Sequence, residues 1–148
     1  MDRSSFWKVT SEIDRGALRA GDEDGAVEPL IEALSKHSEQ EVLSFADHLA
    51  QMLFDLDGQN YADEAGESGG SDDGFLYSRC FVVACGQEHF EAVKADPTKM
   101  PKDLEEWCES LLYAARYAWA EVTGRDDDDW DHVSPVSYEK GSNTALWK

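Results

Sequence analysis

The sequence predicts an all-α protein: a single compact orthogonal domain of about five to six helices over residues 1–124, then a weakly structured acidic tail over 125–148. Three observations predict it. Apolar residues recur at helical spacing, and strand alternation hardly appears. Residues suited to capping precede those stretches, notably Ser38 and Ser71. Residues that end helices follow them: Gly86, the pair Asp96-Pro97, and Gly124. The 148 residues suit one domain with one core, and the 41% apolar content is enough to fill it.

The elements follow in order. Phe6, Val9, Ile13 and Ala17 share one face behind the candidate caps Ser4 and Ser5, so one helix is expected up to Gly21 and the cluster Asp22-Glu23-Asp24. A short second helix turns Val27, Leu30, Ile31 and Leu34 inward, with Pro29 expected in its first turn, where a missing N–H goes unused. Ser38-Glu39-Gln40-Glu41 reads as a capping box. Behind it Val42, Phe45, Ala46, Leu49, Met52, Leu53 and Leu56 form an amphipathic stripe. From Asp57 to Gly70 the pattern dissolves into Gly, Asp, Glu and Ser around Tyr61, which predicts a loop with at most a helical turn.

Ser71 then caps a helix whose first turn carries Asp72 and Asp73, where negative charge meets the positive end of the dipole. Its apolar run, Cys80-Phe81-Val82-Val83-Ala84-Cys85, is nearly continuous, so burial on most sides is expected. A shorter helix from Gln87 to Ala95 turns Phe90 and Val93 inward. Pro101 is expected to open the longest helix, running to Thr123. Its core stripe would be Leu104, Trp107, Cys108, Leu111, Ala115, Ala118 and Val122, with Glu105, Glu109 and Arg116 solvated.

The formal net charge is −19, from 32 acidic and 13 basic residues. Phosphate backbones and anionic membrane surfaces would be repelled, so neither nucleic acid nor membrane is an expected partner. A basic protein partner is the charge-matched expectation. Met1-Asp2-Arg3-Ser4-Ser5 lacks the basic and apolar regions of a signal peptide. Cys80, Cys85 and Cys108 are odd in number and lack Cys-x-x-Cys spacing, which predicts reduced, buried thiols in a cytoplasmic protein.

The central signature is Gly69-Gly70-Ser71-Asp72-Asp73-Gly74-Phe75-Leu76-Tyr77-Ser78-Arg79, followed by Gly86-Gln87-Glu88-His89-Phe90-Glu91-Ala92 and Ala95-Asp96-Pro97. It resembles a bacterial family catalogued as domain of unknown function 4240. Phe6-Trp7, the helix from Ser38 to Leu56, and Cys108-Glu109-Ser110-Leu111-Leu112-Tyr113-Ala114-Ala115 agree with that family in type. The likeness covers about Ser5 to Gly124. It departs at Ser78, where a second aromatic residue is usual, and at Cys80-Phe81, where a tryptophan usually stands nearby; both changes read as repacking. The resemblance implies a compact helical cytoplasmic domain and carries no activity with it.

Asp72, Asp73, Tyr77 and Arg79 are the one cluster that reads as a candidate site. Asp72 and Arg79 share a face two turns apart, too far for direct contact. The simpler expectation is that Ser71 and the aspartates cap the helix while Arg79 pairs with a carboxylate of another helix. Trp130 and Trp147 stand in polar surroundings, which suggests either folding back onto the body or anchoring a partner. His37, His48, His89 and His132 show no metal-ligand spacing. Asp126 to Asp131 lacks the pattern of a calcium loop, so neither metal nor cofactor is expected. No nucleophile elbow or phosphate loop appears, and the sequence names no oligomeric state. Three functions are consistent with these residues. The first is a regulatory or immunity-type interaction module that masks a basic surface. The second is a ligand-binding domain or enzyme centred on Asp72, Asp73, Tyr77 and Arg79, with His48 or His89. The third is a carrier that presents its C-terminal tail as a peptide. The lack of assembled chemistry favours the first over an enzyme.

Overall fold

The computed structural model describes residues 1–148 and contains eight α-helices, five 3-10 turns and no strand. The helix count exceeds expectation because the first expected helix is split in two and one expected loop is partly helical; the expected long helix is also shortened. The first breaks early: α1 spans Arg3–Thr10 and α2 spans Arg15–Arg19. Asp2, rather than Ser4 or Ser5, caps α1 by accepting from the Ser5 N–H at 2.8 Å. Asp14 caps α2 by accepting from the Ala17 N–H at 3.1 Å, which restarts the chain in a new direction while Ile13 stays buried.

Helix α3, Glu23–Leu34, is capped by Asp22. Pro29 lies in its interior, not in its first turn. The helix therefore forgoes the hydrogen bond to Gly25, and the burial of Ala26, Val27, Leu30 and Leu34 around the proline holds it together. Helix α4, Glu39–Asp55, starts at Ser38, which accepts from the Glu41 N–H at 3.2 Å. Glu41 turns to His37 Nδ1 at 3.2 Å, and that contact holds its carboxyl below the usual range.

The segment expected to be a loop contains α5, Gln59–Asp63, and a 3-10 turn over Gly66–Gly70. Tyr61 anchors it, donating from its hydroxyl to the Lys94 carbonyl at 2.7 Å. Gly69 is required here, because a Cβ would come within 1.9 Å of the Ala62 carbonyl oxygen. Helix α6, Asp72–Ala84, starts at Ser71 and is buried on almost every side after its first two residues. Helix α7 spans Gln87–Ala95, as its pattern predicts.

The long helix expected from Pro101 is not formed. Residues 101–108 are irregular, Glu109–Tyr113 is a 3-10 turn, and only Ala114–Thr123 forms α8. Tertiary bonds outcompete the helix there: the Trp107 indole donates to Ser68 Oγ at 2.9 Å, and the Cys108 N–H donates to the Tyr77 carbonyl at 3.1 Å. Leu104, assigned to the core stripe, is 45% exposed as a result. Gly124 ends α8 with φ +71, a left-handed stop.

Helix α8 packs against α3 and α4, and α6 packs against α4 and α7. Phe6, Trp7, Phe45 and Phe90 form a chain of ring contacts at 4.9–5.3 Å within one core. No helix is long and apolar enough to cross a membrane. Cys80 and Cys108 are buried and Cys85 half-buried, all unbonded. Burial pushes Cys85 to about 11 and Cys108 to about 12, which keeps both protonated.

The tail is irregular in secondary structure, as expected, but it is docked on the body. Residues 130–140 lie irregular against the body, with Trp130, His132, Ser134, Val136, Tyr138 and Lys140 half-buried and the residues between them exposed. Short 3-10 turns at Asp127–Asp129 and Thr144–Leu146 bracket this strap. Three of the six inward residues, His132, Ser134 and Lys140, are polar and the outward Val133 is apolar, so hydropathy does not reveal the alternation.

Candidate functional site

Arg79 is wholly buried and has no carboxylate within ion-pair distance, contrary to the expected pairing. Its guanidinium donates to three carbonyls: Leu53 at 2.8 Å in the last turn of α4, Tyr138 at 3.0 Å in the strap, and Phe75 at 3.4 Å in its own helix. It also lies over the Phe75 ring at 4.4 Å. The first two bonds join the negative end of α4 to the strap. Burial lowers the affinity of Arg79 for its proton, and the charge of Asp57 opposes that shift most strongly.

Asp57 is the buried counterpart that the sequence reading missed. Its carboxylate accepts from the Gly141 N–H at 3.0 Å, the Asn143 N–H at 2.9 Å and the Trp147 indole at 3.1 Å. Asn143 adds a bond to the Phe54 carbonyl at 3.0 Å. Trp147 meets the Phe75 ring edge-on at 6.1 Å, and Lys140 lies over Trp147 while donating to the Gly69 carbonyl. Trp130 packs against Trp119 at 5.7 Å and His132 at 5.6 Å, and His132 reaches Asp47 at 2.7 Å. Arg79, Trp130 and Trp147 thus fasten the strap to the body.

Asp72, Asp73 and Tyr77 have a different setting. Both aspartates are exposed at the start of α6 and form no ion pair, while Ser71 does the capping, accepting from the Gly74 N–H at 3.0 Å. Tyr77 is half-buried against Trp107 at 5.5 Å. Burial raises its hydroxyl, and the charges of Glu109 and Asp73 raise it further. Glu109 accepts from the Tyr113 hydroxyl at 2.6 Å, which pushes that phenol up as well.

Beside Glu109 lies a groove of about 520 Å³ between α3 and the start of α8, lined by Asp24, Glu28, Glu109, Tyr113 and Tyr117 among others. Glu28 also borders the adjoining depression that contains Glu32, Glu121 and one basic residue, Lys36. Tyr113 and Tyr117 are 37% and 46% exposed, and the Arg116 guanidinium lies 6.0 Å from the Tyr117 ring centre. The structure therefore extends the expected cluster from Asp73 and Tyr77 toward Glu109 and α3, and removes Arg79 from it. Glu109, Tyr113, Tyr117 and Glu121 recur every four residues, a spacing that marks one face; only the assignment of Glu109 to a plain solvated side concealed it.

The remaining ionisable groups do not converge on chemistry. His48 is bonded to the Met1 carbonyl at 2.9 Å, and burial lowers the half-buried His89 below the usual imidazole value. Asp126, Asp127 and Asp128 form the one group of side chains spaced for a cation. Arg116 already neutralises two of them, at 3.0 Å from Asp127 and 3.3 Å from Asp128.

The fold and these surfaces define an all-helical domain closed by its own C-terminal strap, with an acidic, tyrosine-lined face. The chain belongs to the family described as Protein of unknown function (DUF4240), whose profile matches residues 1–121. No curated protein and no solved structure matches it. The matched region contains the acidic face, Arg79 and Asp57. It stops short of Tyr138, Gly141, Asn143 and Trp147, which complete the fastening.

Proposed function

We propose that the protein is a cytoplasmic interaction module that takes a Lys- or Arg-rich segment of a partner protein onto its acidic, tyrosine-lined face. It would regulate that partner by covering a basic surface. One observation carries the reading: Glu28, Glu32, Glu109, Glu121, Asp72 and Asp73 form no ion pair, although the chain makes such pairs elsewhere. Unpaired carboxylates speed the approach of a cationic partner, and the exposed ring of Tyr113 offers a face to its guanidinium or ammonium groups, as Tyr117 does to Arg116 within the chain.

The ligand-binding or catalytic reading has less support, because Arg79 faces the Leu53 and Tyr138 carbonyls while Asp72 and Asp73 face solvent. The presented-peptide reading has less support as well, because Trp147 and the backbone of Gly141 and Asn143 are bonded to Asp57.

The test is fluorescence anisotropy with a labelled arginine-rich peptide. Binding should weaken steeply as salt rises, and the combined change Glu28→Gln, Glu109→Gln, Asp73→Asn should weaken it about tenfold. The pair Asp126→Asn, Asp129→Asn should leave it within about twofold. Equal losses from both sets of changes would reduce the effect to net charge and overturn the assignment to this face.

A further inference from the structure

The acidic face is a groove with a defined shape. Helices α3 and α8 pack side by side, and Ser110, in the turn before α8, ties them at one end. Its N–H donates to Glu23 at 3.3 Å and its hydroxyl to Asp24 at 2.7 Å. The two depressions along this face share Glu28 and Ile31, so they are continuous. Together they follow α3 from Asp24 to Ser35, about three helical turns. The floor is apolar: Val27 and the half-buried Ile31 stand one turn apart beside the exposed ring of Tyr113. The rims are acidic, with Glu28 and Glu32 on one side and Glu109 and Glu121 on the other. Two cations lie near. Arg116 is already paired with Asp127 and Asp128. Lys36, past the end of α3, leaves the stretch around Asp24, Glu28 and Glu109 uniformly negative.

Given that this face receives a basic segment, as proposed above, we infer that the segment binds as an amphipathic helix, basic on both flanks and apolar along the stripe that meets Ile31 and Tyr113. The walls of the groove are helices whose N–H and C=O groups are largely spent in their own ladders. An extended peptide laid there would find few partners for its backbone, whereas a helix arrives with its bonds already made. An apolar floor between two acidic rims also matches an apolar stripe between two rows of Lys or Arg. A segment basic on every side would instead set charge against Ile31.

The experiment titrates the full chain into two labelled peptides of one composition, lysine, leucine and alanine over about 15 residues. In one peptide the leucines form a single helical stripe; in the other they are scattered around the helix. Anisotropy reads affinity, and far-UV circular dichroism reads helix gained on binding. The striped peptide should bind about tenfold more tightly and gain helix in the complex. Ile31→Gln and Tyr113→Ser, both outside the sealed core, should each cut that preference about threefold or more, while salt still weakens binding. Equal affinity for the two peptides would overturn the helical form and leave the basic-segment reading standing. Binding of neither peptide would overturn both. A preference unchanged in both variants would place the striped helix on another surface and overturn the assignment to this groove.

Discussion

Asp72 and Arg79 start two turns apart on one face of one helix and end in opposite surroundings. The aspartate is left in water without a partner, and the arginine is sealed in the core with three carbonyls around it. Nothing within α6 decides this difference. It is decided by what the rest of the chain brings: the end of α4 and the strap close over Arg79, whereas the 3-10 turn at Gly66–Gly70 packs on Gly74 and leaves the Asp72 and Asp73 side chains in solvent. A charged residue in a signature motif is therefore no guide to a binding site until its distant neighbours are known. Arg79 organises the fold, and Asp73 remains free to meet something else.

The largest expected effect breaks the buried half of this contrast. Arg79→Ala leaves the Leu53 and Tyr138 carbonyls unpaired, removes the charge that Asp57 faces, and opens a cavity. A loss of about 3–5 kcal/mol in urea unfolding is expected, with only partial recovery in Arg79→Lys, whose single ammonium cannot reach all three carbonyls. A loss below about 1 kcal/mol would mean that Arg79 is no more structural than Asp72. Next in size is Asp57→Asn, which weakens the acceptor for Gly141, Asn143 and Trp147. About 1–3 kcal/mol should be lost. Amide exchange should accelerate at residues 141 and 143 while the core of α4 stays protected, and proteases should cut the strap first. Uniform acceleration across the molecule would show that the strap is not a separate unit. The smallest effect sharpens the exposed half: Asp72→Asn with Asp73→Asn should change stability by about 1 kcal/mol or less, the scale of a helix-dipole contact, while slowing capture of a basic peptide.

Most helices were legible in the sequence because their apolar spacing and caps agree: Ser38, Ser71, Gly86 and Gly124 each stand where the structure begins or ends an element. The failures have one physical cause, contacts from far along the chain. Pro101 and the apolar spacing after it argue for a helix, but Ser68 and the Tyr77 carbonyl claim Trp107 and Cys108. Asp57 looked like one acidic residue among several in a polar stretch, and only residues 141–147 reveal its role. For the candidate site, Asp73 and Tyr77 were found from the motif. Glu28 and Tyr117 required the packing of α3 against α8.

The three bonds from the strap to Asp57 each join residues at least 84 positions apart. Closing so long a loop costs chain entropy before the contact can compensate, so this fastening forms late in folding and opens early in unfolding. During synthesis the pocket around Arg79 and Asp57 stays hydrated while the helices assemble. Its closure waits for residues 138–147, whose bonds to Arg79 and Asp57 shut water out.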